Sequence, residues 1–211
     1  SDNEFRGNLR ETDYIVSKLK EYGLSYSVER VGKSTTWRGL QGTMWEIAPG
    51  LQKLADFNDV PEMLAEGSRP ADLQAELVWA GDGSQTFFEN NAGNLRGKII
   101  VTSANPYAVH SRAMNAGAAG TVSFYSPRQL VDQLQIPNSG IGGSGFAFML
   151  PPREGLILRD RLLRGEKIMV RVKVDSRIEQ LDLQVPQCVI PGTDTTAGEI
   201  IFTAHLFEGY V

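Results

Sequence analysis

The sequence is poor in the side chains that form disulfides and metal sites: its 211 residues contain one cysteine, Cys188, and two histidines, His110 and His205. A single cysteine excludes an internal disulfide and a cysteine-based zinc cluster. We expect Cys188 to be a small buried residue, because free cysteine is among the most buried residue types. Any zinc site here would have to include carboxylates, and no Asp or Glu pair stands out.

The sequence also lacks a basic cluster and a long apolar run. Its net charge is -4 with a pI near 5.3, and its Lys and Arg residues are scattered, whereas a nucleic-acid groove needs clustered basic side chains. No apolar run reaches the roughly 18 residues that a membrane-spanning helix requires. We therefore expect neither a nucleic-acid nor a membrane partner. The hydrophobic fraction of 41% and the charged fraction of 22% are typical of a globular protein with a real core.

Two short motifs resemble functional signatures but are better explained by structure. Residues 140–145 match G-x-G-x-x-G, yet they precede a predicted strand, so no helix N-terminus is available there for a phosphate. Ser17 and Lys20 match S-x-x-K on an ordinary amphipathic helix. The sequence contains no G-x-S-x-G nucleophile elbow and no His-Glu-x-x-His motif.

The N-terminal region predicts a helix, a strand and then a boundary. Apolar residues recur at helical spacing over residues 11–22, and Gly23 follows as a stop signal. Residues 26–31 predict a strand. The turn-forming residues at 32–39 then indicate the first domain boundary.

The segment from Gly97 to Tyr125 predicts a strand–helix–strand unit. The β-branched run 98–101 is followed by a helix of small residues, 108–116, and by a second apolar run, 121–125. A unit of about thirty residues of this kind joins two parallel strands by a right-handed crossover.

Other segments of the middle region predict further strands and one helix. Alternation places Thr43, Trp45 and Ile47 on the buried face of one strand, and it indicates others at 73–79 and 168–175. The remaining predicted elements are a strand at 146–150, a helix from Pro151-Pro152 to Gly165, and a strand at 181–185.

The last predicted strand covers residues 199–205. Its mostly apolar run without alternation predicts a strand covered on both faces, as in the centre of an α/β sheet. Because the sequence continues for only six residues after it, we expect a larger sheet of which this chain is the front portion.

The two histidines have different expected roles. His205 ends the last predicted strand, where open α/β sheets place ligand-binding residues. From the residues alone it is either a zinc ligand or a packed, hydrogen-bonded side chain. His110 lies on the small-residue helix without an acidic neighbour, and we expect it to be structural or at the surface.

The central residues resemble one known family. Residues 97–101, 113–120 and 121–125 together resemble the core of protease-associated domains, which share a GKI-V…A…AGA-G-V pattern. Residue types and element order agree, which makes the resemblance fairly specific.

The flanks resemble a second family, the family-28 zinc aminopeptidases. Residues 8–31 look like the opening helix and first strand of that family, and residues 190–193 with 199–205 resemble its PGT…E-I…AH strand. The family resemblance implies that His205 is a zinc ligand. In several relatives a protease-associated domain is inserted between the first two strands of the peptidase sheet.

The two resemblances imply an α/β fold with an insertion. Residues 1–33 would form the first helix and strand of the peptidase scaffold, and residues 34–176 the protease-associated domain, a mixed β-sheet or barrel with flanking helices. Residues 177–211 would form further, truncated scaffold strands.

The implied function is that of the N-terminal fragment of a zinc-dependent, exopeptidase-like hydrolase of the aminopeptidase type, acting on peptides. The inserted domain would shape substrate access or mediate protein contacts, including a homo-oligomer. In the family, the remaining metal ligands and the general-base glutamate lie downstream, so we expect these residues alone to be inactive.

One departure from the family pattern supports an alternative. Family members usually carry an aspartate two residues after the zinc-binding histidine, whereas this sequence has Phe207 there and Glu208 next. The alternative is a non-catalytic protein- or peptide-binding module on a degenerate peptidase scaffold. A third hypothesis is a stand-alone carbohydrate- or peptide-binding domain.

Overall fold

The computed structural model describes residues 10–128, 134–194 and 196–204. In that part of the chain no helix is long and apolar enough to cross a membrane. The α-helices are α1 (Arg10–Glu21), α2 (Gln85–Asn90), α3 (Pro106–Asn115) and α4 (Pro152–Leu163). The strands are β1 (Tyr26–Ala48), β2 (Gln52–Asp56), β3 (Ala71–Trp79), β4 (Ile99–Thr102), β5 (Gly120–Ser123), β6 (Phe146–Met149) and β7 (Met169–Cys188). A short 3₁₀ helix covers Pro61–Met63.

The chain divides into two compact units. Within the described residues, the first unit holds residues 10–38 and 178–204, and the second holds 39–177. Strands β1 and β7 contribute residues to both. These divisions lie near the predicted limits of the inserted domain, 34 and 176. The identity of the units as peptidase scaffold and inserted domain stays a prediction.

The strands form a mixed sheet in the order β2-β1-β7-β3-β4-β5-β6. Strands β3, β4, β5 and β6 run parallel, whereas β7 pairs antiparallel with β3, and β2 with β1. An isolated antiparallel bridge joins Leu64, downstream of β2, to Phe148 on β6. The α/β class is confirmed, as is the parallel pairing of the two strands predicted within residues 97–125.

The core of the second unit surrounds the parallel strands. Every residue of β4, β5 and β6 is buried, and α2 and α3 pack their apolar side chains against Ile100. Strands β5 and β6 also pack closely, and this requires a glycine at position 120. A Cβ on Gly120 would lie 2.5 Å from Phe146 Cε2, so no larger residue fits without moving that ring.

The helix predicted at 11–22 is confirmed as α1, whereas the strand predicted at 26–31 does not end at the turn-forming residues 32–39. Strand β1 continues through the turn-forming residues. Gly32 has φ +99°, a conformation that glycine adopts at little cost inside a strand. Side-chain bonds also join this part of β1 to β7: Gln180 Nε2 donates to Thr35 Oγ1 at 2.6 Å, and Arg38 Nη1 to Glu179 Oε1 at 2.9 Å. Strand pairing therefore overrides the local turn signal.

The buried face predicted for residues 43–47 is also wrong. Met44 and Glu46 are buried, whereas Trp45 and Ile47 are 39% and 36% exposed. The reason is a tertiary contact, since the Glu46 carboxylate binds Arg161 of α4. A paired and hydrogen-bonded charge can be buried, and hydrophobicity alone then assigns the wrong face.

The final strand is wrong over its described residues. Residues 199–204 form no strand, and Ile200, Ile201 and Phe202 are 83%, 78% and 91% exposed. The run appears in no strand pairing of the described residues. Without a neighbouring strand, an apolar run has neither ladder hydrogen bonds nor a surface to cover it.

The expectation that Cys188 is buried is wrong as well. Cys188 ends β7 and is exposed as a free thiol. Every residue of β7 from 177 to 188 is exposed or half-buried. The Cys188 side chain therefore has no packed layer over it.

Candidate functional site

The predicted zinc ligand lies outside the described residues. His205, Phe207 and Glu208 all belong to the undescribed segment 205–211. Over residues 10–128, 134–194 and 196–204, no three His, Cys, Asp or Glu side chains gather where they could hold a metal ion. These residues do not fit a zinc site by themselves. The metal role of His205 stays a prediction.

The segment before His205 contains one organised carboxylate, Asp194. Its Oδ1 accepts hydrogen bonds from Thr196 Oγ1 at 2.7 Å and from the Thr196 backbone N–H at 2.9 Å. These bonds from Thr196 lower the pKa of Asp194. Asp194 is therefore an ionised, turn-forming residue.

His110 is structural. It is 1% exposed, with Nδ1 lying 2.9 Å from Thr121 Oγ1 and Nε2 lying 2.7 Å from the Ser144 carbonyl oxygen. Because a carbonyl only accepts, Nε2 carries the proton, and the Thr121 hydroxyl donates to Nδ1. Burial lowers the pKa of His110 against the opposing effect of Ser144, so the ring is held neutral.

The glycine-rich loop at 140–145 does not form a phosphate site. It precedes β6, as predicted, and directs carbonyl oxygens at its neighbours. The Gly143 oxygen accepts from Arg69 Nε at 3.2 Å, and the Gly145 oxygen accepts from the Arg69 backbone N–H at 2.8 Å. A phosphate cradle needs convergent N–H donors instead, so this loop serves the fold.

At the carboxyl ends of the parallel strands, two side-chain hydroxyls donate hydrogen bonds to backbone carbonyls of the protein itself. Ligands often bind at this edge in open α/β sheets. Here Thr102 Oγ1 donates to the Gly81 carbonyl at 2.9 Å, and Ser123 Oγ donates to the Ala104 carbonyl at 2.7 Å. These two hydroxyls hold the loops after β3 and β4 in place.

The most tightly connected charged group is centred on Arg161, in the last turn of α4. Its Nη1 and Nη2 donate to the two carboxylate oxygens of Glu46 at 2.6 and 2.7 Å, and its Nε donates to both oxygens of Glu166 at 3.1 Å. The Glu46 carboxylate also accepts from the Gly50 backbone N–H at 3.2 Å. This arrangement is a bidentate, charge-assisted pair extended by a second carboxylate.

Arg161 and its partners hold one another ionised. The hydrogen bond from Arg161 lowers the pKa of Glu46 and of Glu166, and bonds to these two carboxylates raise the pKa of Arg161. Sequence reasoning missed this group because Glu46 is 115 positions away from Arg161. The only local signal was an acidic residue five positions after the arginine.

A pocket of about 280 Å³ lies beside Arg161, between β2 and α4. Its lining combines polar and aliphatic side chains from the two elements and from the end of β6. The lining residues are Gln52, Lys53, Leu54, Leu150, Glu154, Ile157, Leu158 and Arg161.

Comparison with known proteins connects the chain to peptidase folds. No family model and no curated protein sequence matches it. An aminopeptidase from Aneurinibacillus sp. strain AM-1 matches with a TM-score of 0.55 and 22% identity, over 89% of this chain and 43% of that chain. A peptidase M28 precursor from Shewanella amazonensis SB2B gives a TM-score of 0.57 and 16% identity, over 88% and 45%.

A third solved structure agrees with these two. BSAP, a zinc aminopeptidase from Bacillus subtilis, matches with a TM-score of 0.53 and 19% identity, over 81% of this chain and 39% of that chain. At such identities the likeness concerns the fold. The chain spans less than half the length of each of the three structures.

Proposed function

We propose that the chain is part of a peptidase-like hydrolase of the zinc aminopeptidase type, acting on peptides. The observation that carries this proposal is the fold likeness. Between 81% and 89% of the chain aligns with three solved peptidases at TM-scores above 0.5. Two of them are named aminopeptidases, and one of these is named a zinc enzyme.

The finer proposal concerns the second unit. We assign residues 34–176 to a protease-associated domain inserted into the peptidase scaffold. The support is that residues 39–177 form a compact unit, and that the parallel strands β4 and β5 with α3 between them are the elements that carry the resemblance to such domains. The inserted domain would shape substrate access or mediate protein contacts.

The zinc site of the proposal begins with His205. Because the described residues hold no complete ligand set, the other ligands are assigned to residues outside them. No catalytic step is assigned to the described side chains. A catalytic zinc site keeps about three protein ligands and one open position, which sets the number that must be found.

The test is zinc binding and peptide hydrolysis by a polypeptide that continues beyond Val211. We expect zinc-dependent release of the N-terminal residue from a peptide, and loss of that activity with a chelator. His205→Ala should weaken zinc binding, measured by calorimetry, by more than the roughly 10–100-fold that loss of an outer-sphere partner costs. Glu199→Gln, which changes an exposed residue of the same segment, serves as the control. Equal zinc affinity in the His205→Ala variant would remove His205 from the site.

A second candidate function rests on Phe207. A phenylalanine where the resembled family carries a supporting aspartate favours a non-catalytic binding module on a degenerate scaffold. In that case the wild type and His205→Ala would show the same absence of zinc binding, while peptide binding would persist. Stoichiometric zinc bound by the wild type excludes this alternative.

A further inference from the structure

We propose that protonation of His110 opens the glycine-rich loop, residues 140–145, away from α3. The proposal stands on three features of the structure: the loop covers the imidazole, neutral groups bond both ring nitrogens, and the rest of the ring faces the paired strands of the core. It does not depend on peptidase activity and would hold for either candidate function.

The glycine-rich loop covers one edge of the imidazole. Nε2 of His110 lies 2.7 Å from the Ser144 carbonyl oxygen, and a Cβ built on Gly145 would lie only 3.4 Å from Cε1 of the ring. His110 is 1% exposed, whereas residues 142–144 of the loop are exposed. Water would therefore reach this edge of the ring if the loop moved away from α3.

The opposite edge of the imidazole faces the core. Nδ1 lies 2.9 Å from Oγ1 of Thr121, which is 0% exposed in β5. Strand β5 is paired with β4 on one side and β6 on the other, so exposing the ring on this side would break the parallel sheet. Residues 141–145 belong to no strand. The loop is therefore the covering element that can open at the lower cost in free energy.

A positive charge on the ring would have no carboxylate to offset it. Both ring nitrogens bond to neutral groups, the Thr121 hydroxyl and the Ser144 carbonyl. Strands β5 and β6 and the loop itself contain no titratable side chain. On α3 the titratable or charged side chains are those of Tyr107 and Arg112, and neither supplies a negative charge at neutral pH.

The segment on the other side of the loop supplies one cation and one carboxylate. Arg69 Nε donates to the Gly143 carbonyl of the loop at 3.2 Å, so a second cation already contacts the loop. Glu66 accepts from the Ile141 backbone N–H at 2.8 Å, but through its own backbone carbonyl. The carboxylate of Glu66 bonds to neither ring nitrogen of His110.

The energetic consequence is that acid favours the open loop. Burial lowers the pKa of His110 while the loop is closed, and hydration in the open form returns it towards its usual 6.5. The closed loop is therefore favoured fully above pH 6.5 and loses this advantage as the pH falls below 6.5. From pH 7.5 to 5.5 the equilibrium constant for opening should rise by up to about tenfold.

The test is amide hydrogen exchange of the whole chain, followed by NMR at pH 7.5 and pH 5.5. Two amides report on the loop: that of Arg69, which donates to the Gly145 carbonyl at 2.8 Å, and that of Ile141. Their protection factors, which correct for the intrinsic pH dependence of exchange, should be about three- to tenfold lower at pH 5.5.

A second pair of amides provides the internal reference. The Asn91 amide donates to the Phe87 carbonyl at the end of α2, where local opening leaves His110 buried, so its protection factor should be the same at both pH values. The Ile100 amide in β4 lies in the paired core and should be more protected than the loop amides, because its exchange requires wider unfolding.

Two glutamine variants identify the group that titrates. His110→Gln keeps a donor for the Ser144 carbonyl but does not titrate, so the loss of loop protection at pH 5.5 should disappear. Its matched control is His205→Gln, which removes the other imidazole of the chain and should leave that loss unchanged. No side chain other than histidine has its usual pKa between pH 5.5 and 7.5.

A third variant tests the same contact in case His110→Gln does not fold. Thr121→Val keeps the shape of a buried side chain but removes the hydroxyl that donates to Nδ1 of the neutral ring. The pKa of His110, read from the imidazole nitrogen shifts, should then rise, and loop protection should begin to fall at a higher pH. Circular dichroism checks that each variant is folded.

The contrary outcomes are equally definite. The proposal is overturned if the Arg69 and Ile141 amides have the same protection factors at both pH values, if they are as protected as the Ile100 amide, or if His110→Gln retains the loss. None of these results bears on zinc binding, so this proposal and the peptidase proposal fail separately.

Discussion

Two short apolar runs of similar composition have opposite environments in this molecule. In β4, Ile99, Ile100 and Val101 are each 0% exposed, whereas Ile200, Ile201 and Phe202 are between 78% and 91% exposed. Strand β4 is paired on both sides, with β3 and with β5, and Leu95 and Val109 pack in the same cluster as Ile100. Residues 200–202 belong to no strand.

The comparison shows that burial of an apolar run is decided by its neighbours. Both runs carry the β-branched residues typical of central strands. Only β4 lies within a strand–helix–strand unit whose other parts are close in sequence. A run without such local partners remains exposed until another segment covers it.

The largest expected effect extends the comparison to charged side chains. Glu46→Ala should lower the free energy of unfolding by about 3–5 kcal/mol, because it leaves the guanidinium of Arg161 short of a buried partner. Asp72→Ala removes an exposed cross-strand pair with Arg171 and should cost about 0.2–1 kcal/mol. Urea denaturation followed by circular dichroism measures both. Equal costs would mean that the Glu46 pair is solvated in solution.

The next effect compares the two runs directly. Ile100→Ala should cost about 2–5 kcal/mol, because it leaves a cavity beneath α3. Ile201→Ala should change stability by less than about 0.5 kcal/mol, as is usual for an exposed site. Denaturant midpoints of the two variants check this. A loss of several kcal/mol from Ile201→Ala would show that residues 200–202 are covered in solution.

A smaller effect compares close packing in the two regions. Gly120→Ala should destabilise by about 1–3 kcal/mol, because its new methyl group would overlap the Phe146 ring. Gly198→Ala meets nothing within 4 Å and should be nearly neutral. Thermal melts provide the measurement. If both substitutions were neutral, the close approach of β5 and β6 would be looser than described.

The smallest effect concerns the buried histidine. Because burial holds the pKa of His110 below its usual 6.5, the unfolded chain binds the proton more readily. The stability gained by keeping His110 neutral is fully present above pH 6.5, the usual pKa of histidine, and is lost as the pH falls below 6.5. From pH 7.5 to 5.5 the loss should reach at most about 1.4 kcal/mol. Denaturation at both pH values should show a smaller difference in His110→Gln than in the wild type.

Much of the second unit could be predicted from local patterns. Residues 98–125 form a strand, a helix and a parallel strand, as predicted, because β-branched residues, small residues and turn signals all occur within one short stretch. The helix after Pro151 and the strand beginning near Ile168 were confirmed for the same reason. Each of these elements has its main signal within its own few residues.

The candidate sites were less accessible to sequence reasoning. The Arg161 group and the pocket beside it combine residues from β1, β2 and α4, and no spacing rule connects them. Conversely, the resemblance singled out His205, which lies outside the described residues, so its metal role remains a prediction.

By itself, the sequence determined the α/β class, the strand–helix–strand unit and the absence of disulfides, since these follow from residue types and short-range periodicity. Tertiary structure alone decided which face of residues 43–47 is buried, whether β1 ends at Gly32, and whether residues 199–204 form a strand. The physical reason is the same in each case. Burying a carboxylate, continuing a strand or covering an apolar run requires a partner, and local residue patterns do not specify that partner.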